Sequence, residues 1–368
     1  MESITIDPLY MGLLYEKALQ ENSMDNFRTA MRKEAHNYLE LALDYGKSGL
    51  YEDAVRILKA SVDSNPLLFY YQAYYLEKNG QIEDALSAIA QAEALSPDGC
   101  FPNKLEEIAI LETAIRLADA ASMAHLYLGN LLYDKKQYQE AIFHWETAVK
   151  EKDTISMAYR NLSIAYCNKE KDLAKAMTAM KKALALDPAY PRLWLEYDQL
   201  ATKMALPVEE RLKTMEDHPE VTAERDDLFL RYITLLNCTG RYEEALDALK
   251  TWKFHPWEGG EGKVSTQYRR SLLTLGKEAA ARKSFHQLIL YGEKHIFDKA
   301  PYDFFAVSLP EIEVYQDDIQ LRNDQYCNYL RALGALGLQD KEKAGLLLEE
   351  ILKKQPDYLE AILLMKRL

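Results

Sequence analysis

The sequence predicts an all-α chain, an α-α superhelix or solenoid of about 7–9 antiparallel helix pairs interrupted by irregular insertions. Three observations lead there. An alanine recurs at Ala54, Ala85, Ala141, Ala176, Ala245, Ala281 and Ala344, with spacings of 31, 56, 35, 69, 36 and 63. Three of these spacings fall close together and 69 is about twice their size, as a repeated unit of one length requires. Each alanine is followed by the same kinds of residue at the same offsets. Finally, only 15 glycines and 12 prolines occur in 368 residues, below the usual roughly 7% and 5%. That scarcity disfavours a turn-rich β architecture.

The offsets define the second helix of each pair. Four residues on stand Leu58, Ile89, Trp145, Met180, Leu249, Phe285 and Leu348, and seven on stand Ser61, Ala92, Ala148, Ala183, Trp252, Leu288 and Ile351. Offsets of 0, 4 and 7 share one helix face. Twelve on comes proline in four units, Pro66, Pro97, Pro188 and Pro356, which cannot continue a helix and closes the unit. The first helix lies upstream, marked by Tyr38, Leu41, Ala42 and Tyr45, by Leu128, Gly129 and Leu132, by Tyr159, Leu162, Ser163 and Tyr166, and by Phe229, Tyr232 and Leu236. A small residue at its middle faces the alanine of the second helix, so the two axes can approach to about 8–10 Å.

In chain order, residues 1–97 read as N-terminal helix pairs that start mid-pattern, with Pro8 opening a helix over Leu9–Leu19. A solenoid ends on a polar cap, so a further segment or domain is expected to join there, and the same uncapped helix is a candidate for self-association. Residues 98–121 give one extra unpaired helix, residues 122–252 the central repeats, with a degenerate unit at 198–224 around Pro207 and Pro219 and one extra residue near Lys169–Lys171. Residues 253–324 hold a glycine-rich loop, one helix pair and an irregular insertion, and 325–368 a last repeat with a capping helix.

This pattern resembles the tetratricopeptide repeat, a helix–turn–helix unit with aromatic, Leu-Gly, Tyr, Ala, aromatic, Ala and Pro at set positions. His125, Leu128, Gly129, Leu132, Ala141, Trp145 and Ala148 make the clearest unit. The resemblance implies a concave face lined by first helices that binds a protein or peptide. The run Phe254–Lys263 and the run Pro301–Pro310 also resemble the repeat half of large bacterial proteins of unknown function, whose other half is carbohydrate-enzyme-like; no catalytic role carries over from that likeness.

Hydrophobic residues at 48% exclude a largely disordered chain, and a net charge of −13 repels phosphate backbones, so nucleic acid is excluded as a general partner. Met1–Tyr10 lacks the basic and apolar regions of a signal peptide. No apolar run approaches the length of a membrane span. Cys100, Cys167, Cys238 and Cys327 stand 67, 71 and 89 residues apart, without a Cys-x-x-Cys pair, as in a protein of the reducing cytoplasm. His36, His125, His144, His218, His286 and His295 form no His-x-x-x-His pair, so no metal is implied, and no cofactor is expected.

Two candidate sites follow. The groove positions of the first helices are Tyr70, Tyr74, Asn130, Tyr133, Asp134, Arg160, Asn168 and Asn237, hydroxyls and amides suited to an extended peptide backbone or a hydroxyl-rich ligand. Leu126 stands where chaperone-tail binders carry lysine, so that ligand is not expected. The second candidate is the loop His255, Trp257, Glu258, Glu261 and Lys263 with Tyr302, Asp303, Phe304 and Phe305. Trp257 can stack on a sugar face, and Glu258 with Glu261 supplies paired carboxylates; glycoside hydrolysis would need them about 5–9.5 Å apart. The glycines there lack phosphate-loop spacing and follow a helix. The expectation is a cytoplasmic, non-enzymatic scaffold binding a protein or peptide partner in its concave groove, with a link to carbohydrate metabolism. The alternative is a carbohydrate-binding protein or glycosidase-associated module using the two loop segments. The oligomeric state is left open.

Overall fold

The computed structural model describes residues 7, 10–255, 266–267, 270–271, 278–299 and 318–368. The chain forms two compact units, residues 1–165 and 166–368. Among the described residues all regular structure is helical, and consecutive helices in each unit pack against one another as pairs. No described helix is long and apolar enough to cross a membrane.

The first unit begins with α1 (Met11–Glu21) and α2 (Asp25–Met31). Pro8 and Leu9, expected to open the first helix, lie outside the described residues. The pairs α3 (Ala35–Lys47) with α4 (Tyr51–Lys59) and α5 (Pro66–Lys78) with α6 (Ile82–Ala94) follow. Then come α7 (Glu106–Leu117), the pair α8 (Ser122–Asp134) with α9 (Tyr138–Glu151), and α10 (Ser156–Ala165). Of the four prolines expected to close a unit, Pro66 instead opens α5 in its first turn, behind the cap Asn65, whose side chain accepts from Leu67 N at 2.9 Å. The first turn needs no N–H from that residue, and proline's fixed φ suits it.

Aromatic side chains carry much of this core. Tyr15, Phe27 and Tyr38 are fully buried, with Tyr15 edge-on to Phe27 at 5.5 Å and to Tyr45 at 5.2 Å. The Tyr15 hydroxyl donates to Asp53 at 2.8 Å. Aromatic edges against faces add to plain area burial, so α1 and α2 join the stack as a full pair. Ala54, Ala85 and Ala141 are wholly inaccessible, as small-on-small crossings require.

The second unit opens with a π-helical turn, Tyr166–Glu170. It absorbs the one extra residue expected near Lys169–Lys171, the usual cause of such a bulge. Lys171 takes a left-handed φ of 59°, and Asp172 then caps α11 (Leu173–Leu186) by accepting from Lys175 N at 2.9 Å. Next are α12 (Pro191–Lys203), α13 (Val208–Glu216), the single turn α14 (Pro219–Thr222), α15 (Asp226–Cys238) and α16 (Tyr242–Thr251). One core gathers Leu195, Leu212, Met215, Leu228, Ile233 and Leu236. The unit ends with α17 (Glu278–His295), α18 (Ile319–Gly337), α19 (Lys341–Lys354) and α20 (Leu359–Met365). Their core holds Phe285, Leu288, Leu333, Ala344, Leu348 and Ile351. Here α17 and α18 cross on glycine: a Cβ on Gly334 would lie 2.7 Å from the Phe285 carbonyl, and one on Gly337 2.5 Å from the Phe285 ring. Ala176, Ala245 and Ala344 are inaccessible; the side chain of Ala281 lies outside the described set.

Candidate functional site

In the first unit the first-helix side of the stack divides into an occupied and an open part. α7, outside the hairpin series, packs against the first helices α5 and α8. It buries Ile110, Leu111 and Ala114 there. Charge pairs fasten it: Lys47 to Glu106 at 2.8 Å, Lys104 to Glu40, and Arg116 to Glu77. The buried Glu107 carboxylate accepts from the Tyr71 hydroxyl at 3.1 Å and from the N–H groups of Asn103 (2.6 Å) and Lys104 (2.9 Å). A buried carboxylate is tolerable with this many donors. The chain itself therefore covers the groove side of α5.

Tyr70 consequently lies in the interior, fully buried, its hydroxyl donating to Glu93 at 2.7 Å. Burial first, and then the Glu93 charge, push that hydroxyl well above its ordinary pKa. Glu93 does a second job: it accepts from Met123 N at 2.8 Å and Ala124 N at 2.9 Å. The last turn of α6 thus caps the first turn of α8, whose own cap residue Ala121 has no side-chain acceptor. Tyr74 is half-buried beside Tyr75, with the Lys78 ammonium 5.1 Å from its ring centre.

The open part lies on α8 and α10. Asn130 and Tyr133 are brought together over Trp145. The Asn130 Oδ1 accepts from Trp145 Nε1 at 3.0 Å, and the Tyr133 ring lies 5.3 Å from the Trp145 ring. The same Oδ1 also accepts from Asn161 Nδ2 at 2.8 Å. Asn161 was not among the sequence candidates, although its neighbour Arg160 was; the signal was an amide one position further along the same first helix. Asn130, Tyr133, Arg160 and Asn161 are all half-buried, while Asp134 is exposed and pairs with Lys135 at 2.8 Å.

His125 and His144, far apart in sequence, meet with their Nδ1 atoms 2.8 Å apart between α8 and α9. One ring must donate and the other accept, so only one of the two Nδ1 atoms carries a proton. Burial, and then His125, lower His144 to a pKa of about 4; burial lowers His125 against the opposing pull of Glu151 and Glu93.

In the second unit Asn168 and Asn237 are buried. Asn237 Nδ2 donates to Gln267 Oε1 at 3.1 Å, and its Oδ1 accepts from the Ser271 hydroxyl at 2.9 Å. It is spent inside the core rather than presented on a groove. Of the loop candidates, His255 is exposed: its backbone N–H donates to Asp226 at 2.7 Å, and its Nδ1 lies 2.9 Å from the same carboxylate. Trp252 Nε1 completes this cap at 2.9 Å. Burial raises the Asp226 carboxyl, but the hydrogen bonds from Trp252 and His255 outweigh it and hold the group below its ordinary value. Trp257, Glu258, Glu261, Lys263, Tyr302, Asp303, Phe304 and Phe305 lie outside the described residues.

Comparison with known proteins agrees on the repeat. Residues 39–99 and 108–156 match the tetratricopeptide repeat family model. Similar solved structures include a tetratricopeptide repeat protein from Parabacteroides merdae, at 13% identity over 82% of this chain and 97% of that one, with a TM-score of 0.37. YrrB, described as a TPR protein with an unusual peptide-binding site, shares 14% identity over 64% of this chain and 97% of its own, at 0.27. The APC/C hetero-tetramer Cut9–Hcn1 matches at 13% identity over 94% of this chain and 59% of that chain, at 0.42. Those two segments carry tetratricopeptide repeats, and 108–156 includes the α8–α9 pair on which Asn130, Tyr133 and the histidines stand.

Proposed function

We propose that the chain is a non-enzymatic scaffold that holds an extended protein or peptide segment against α8 and α10. The linked amides of Asn130 and Asn161 carry this reading. With Asn130 Oδ1 already accepting twice, its Nδ2 is left as a donor and Asn161 Oδ1 as an acceptor. Such a donor–acceptor pair on neighbouring helices suits the C=O and N–H of a passing backbone. Tyr133 offers a ring for side-chain contact, and Arg160 adds a cation to a chain of net charge −13. A cytoplasmic setting and a link to carbohydrate metabolism belong to the same proposal. They rest on the cysteine usage and on the likeness of residues 254–263 and 301–310 to the large bacterial proteins.

Photo-crosslinking from position 133 in cells tests it. The expected result is one stoichiometric protein partner, lost in Asn130→Ala/Asn161→Ala at unchanged thermal midpoint. Capture that ignores the double substitution, or no capture, overturns the reading. For the carbohydrate link, a glycan panel should raise the midpoint with the wild type and not with Trp257→Ala.

A further inference from the structure

A second feature of the first unit is independent of the groove on α8 and α10. Beside the start of α3 lies a cavity of about 350 Å³ lined by Arg28, Thr29, Arg32, Lys33, Tyr38 and Val62. That volume lies in the range of small-ligand sites and is far larger than an inorganic oxyanion fills. Three of its six lining residues are cations, in a chain whose net charge is −13. Concentrating positive charge at one concave place in an acidic protein makes a local anion trap.

The cations are held differently, and the difference matters. Arg28 is anchored: its Nε donates to the Ala60 carbonyl at 3.2 Å, and its Nη1 is 3.9 Å from Asp25. Arg32 and Lys33 have no ion-pair partner among the described residues. Asp63, beside the lining residue Val62, is occupied, accepting from Ala35 N at 3.3 Å and Asn65 N at 3.0 Å. Arg32 also sits at φ 54°, ψ −158°, a strained conformation for a non-glycine residue. Glycine would be the stable choice if the residue served only to end α2. The remaining three lining residues are Thr29, whose hydroxyl donates to the Asp25 carbonyl at 2.8 Å, the accessible edge of Tyr38, otherwise buried edge-on to Phe27 at 6.0 Å, and Val62, which is 72% exposed. An apolar side chain on so exposed a turn gains nothing from the core.

We propose that this cavity binds a small organic anion, a phosphate monoester or a carboxylate with an apolar body, with Arg28, Arg32 and Lys33 on the oxyanion and Val62, beside the accessible edge of Tyr38, against the body. Guanidinium groups suit both oxyanions through paired N–H donors.

Titration calorimetry on the full chain tests this with phenyl phosphate, phenylacetate and inorganic phosphate. At about 50 mM salt, phenyl phosphate or phenylacetate is expected to bind one-to-one with Kd below about 1 mM, at least tenfold tighter than inorganic phosphate, and to weaken at about 300 mM salt. The tighter of the two assigns the oxyanion. Arg32→Gly removes a cation and relieves the positive φ, so it should match or exceed the wild type in thermal midpoint while losing at least tenfold in affinity. Arg32→Lys, which keeps the charge but not the fork, should fall between. Absence of binding by both organic anions, equal binding of inorganic phosphate, or unchanged affinity in Arg32→Gly overturns the proposal.

Discussion

The α8–α9 hairpin and the α12–α14 segment solve one packing problem in opposite ways. In α8–α9 the helices touch through small residues. A Cβ on Gly129 would stand 2.5 Å from Trp145 Nε1 and 3.1 Å from the Ala141 carbonyl, and Ala141 itself is inaccessible. In α12–α14 the repeat is degenerate and polar groups take over. Glu196, Asp198, Gln199 and Arg211 are all buried. Arg211 grips Asp198 through Nε at 2.8 Å and Nη2 at 2.9 Å, and Arg192 reaches Glu196 at 2.8 Å. The Thr222 hydroxyl donates to the Met215 carbonyl at 3.2 Å, tying the short α14 to α13. Apolar fit is non-directional and tolerates modest error. A buried ion pair is directional and fails badly when halved. The regular hairpin therefore owes its stability to volume, and the degenerate one to charge geometry.

The largest effect should come from halving that pair. Arg211→Leu leaves the Asp198 carboxylate buried without its partner and should cost about 3–5 kcal/mol in urea unfolding of the full chain. Asp198→Leu/Arg211→Met removes both charges and should recover most of the loss. If the single and double variants are equally destabilised, charge geometry is not what holds α12 to α13. The matching test on the regular hairpin is Ala141→Leu, which overpacks the crossing and should cost about 1–3 kcal/mol. A neutral result would mean that Gly129 and Ala141 do not set the helix spacing.

The contrast also explains what the sequence could and could not disclose. The volume-based hairpins were legible because their rule is periodic: Ala54, Ala85, Ala141, Ala176 and Ala344 recur with large partners four residues on, and all are buried. Even the π turn at Tyr166–Glu170 announced itself as one surplus residue. Charge-based contacts obey no period. Asp198 and Arg211 are 13 residues apart on different helices, and nothing in their spacing joins them. Glu107 and Glu93 likewise carry no periodic signal; the fold gives them Tyr71 and Tyr70 as donors. The same blindness affected the groove. Tyr70 sits at a groove position by register, but α7 covers that face, and no local signal says where an extra helix will dock. Asn130 and Tyr133, on the next first helix α8, are half-buried rather than enclosed.

The regular hairpin also holds a polar contact that titrates, between His125 and His144, and pH should expose it. The folded state holds His144 at a pKa of about 4, below the usual imidazole value of 6.5. A depressed folded pKa means that the unfolded chain binds the proton first, so this contribution is intact above about pH 6.5 and is lost as pH falls toward 4. The thermal midpoint of wild type should fall a few degrees further than that of His144→Gln over this window, with carboxylate titrations common to both. Parallel curves would show that the His125–His144 contact does not titrate with folding.

The smallest expected effect concerns the join between neighbouring pairs rather than either pair alone. Glu93, at the end of α6, accepts from Met123 N, Ala124 N and the Tyr70 hydroxyl, so one carboxylate supplies the cap that Ala121 cannot. Glu93→Gln keeps the shape and one acceptor oxygen but removes the negative charge facing the start of α8, where partial positive charge gathers. It also places an NH2 where the second oxygen accepted. A loss of about 1 kcal/mol follows, and hydrogen exchange should quicken first at the amides of Met123 and Ala124. The protection pattern separates two models of the stack. If exchange quickens only in the first turn of α8, the helices are joined by local caps, and each pair holds its own volume-based core. If the whole of α8 and α9 opens together, the carboxylate is part of the hairpin's core, and the division between packing held by volume and packing held by charge fails in the most regular part of the molecule.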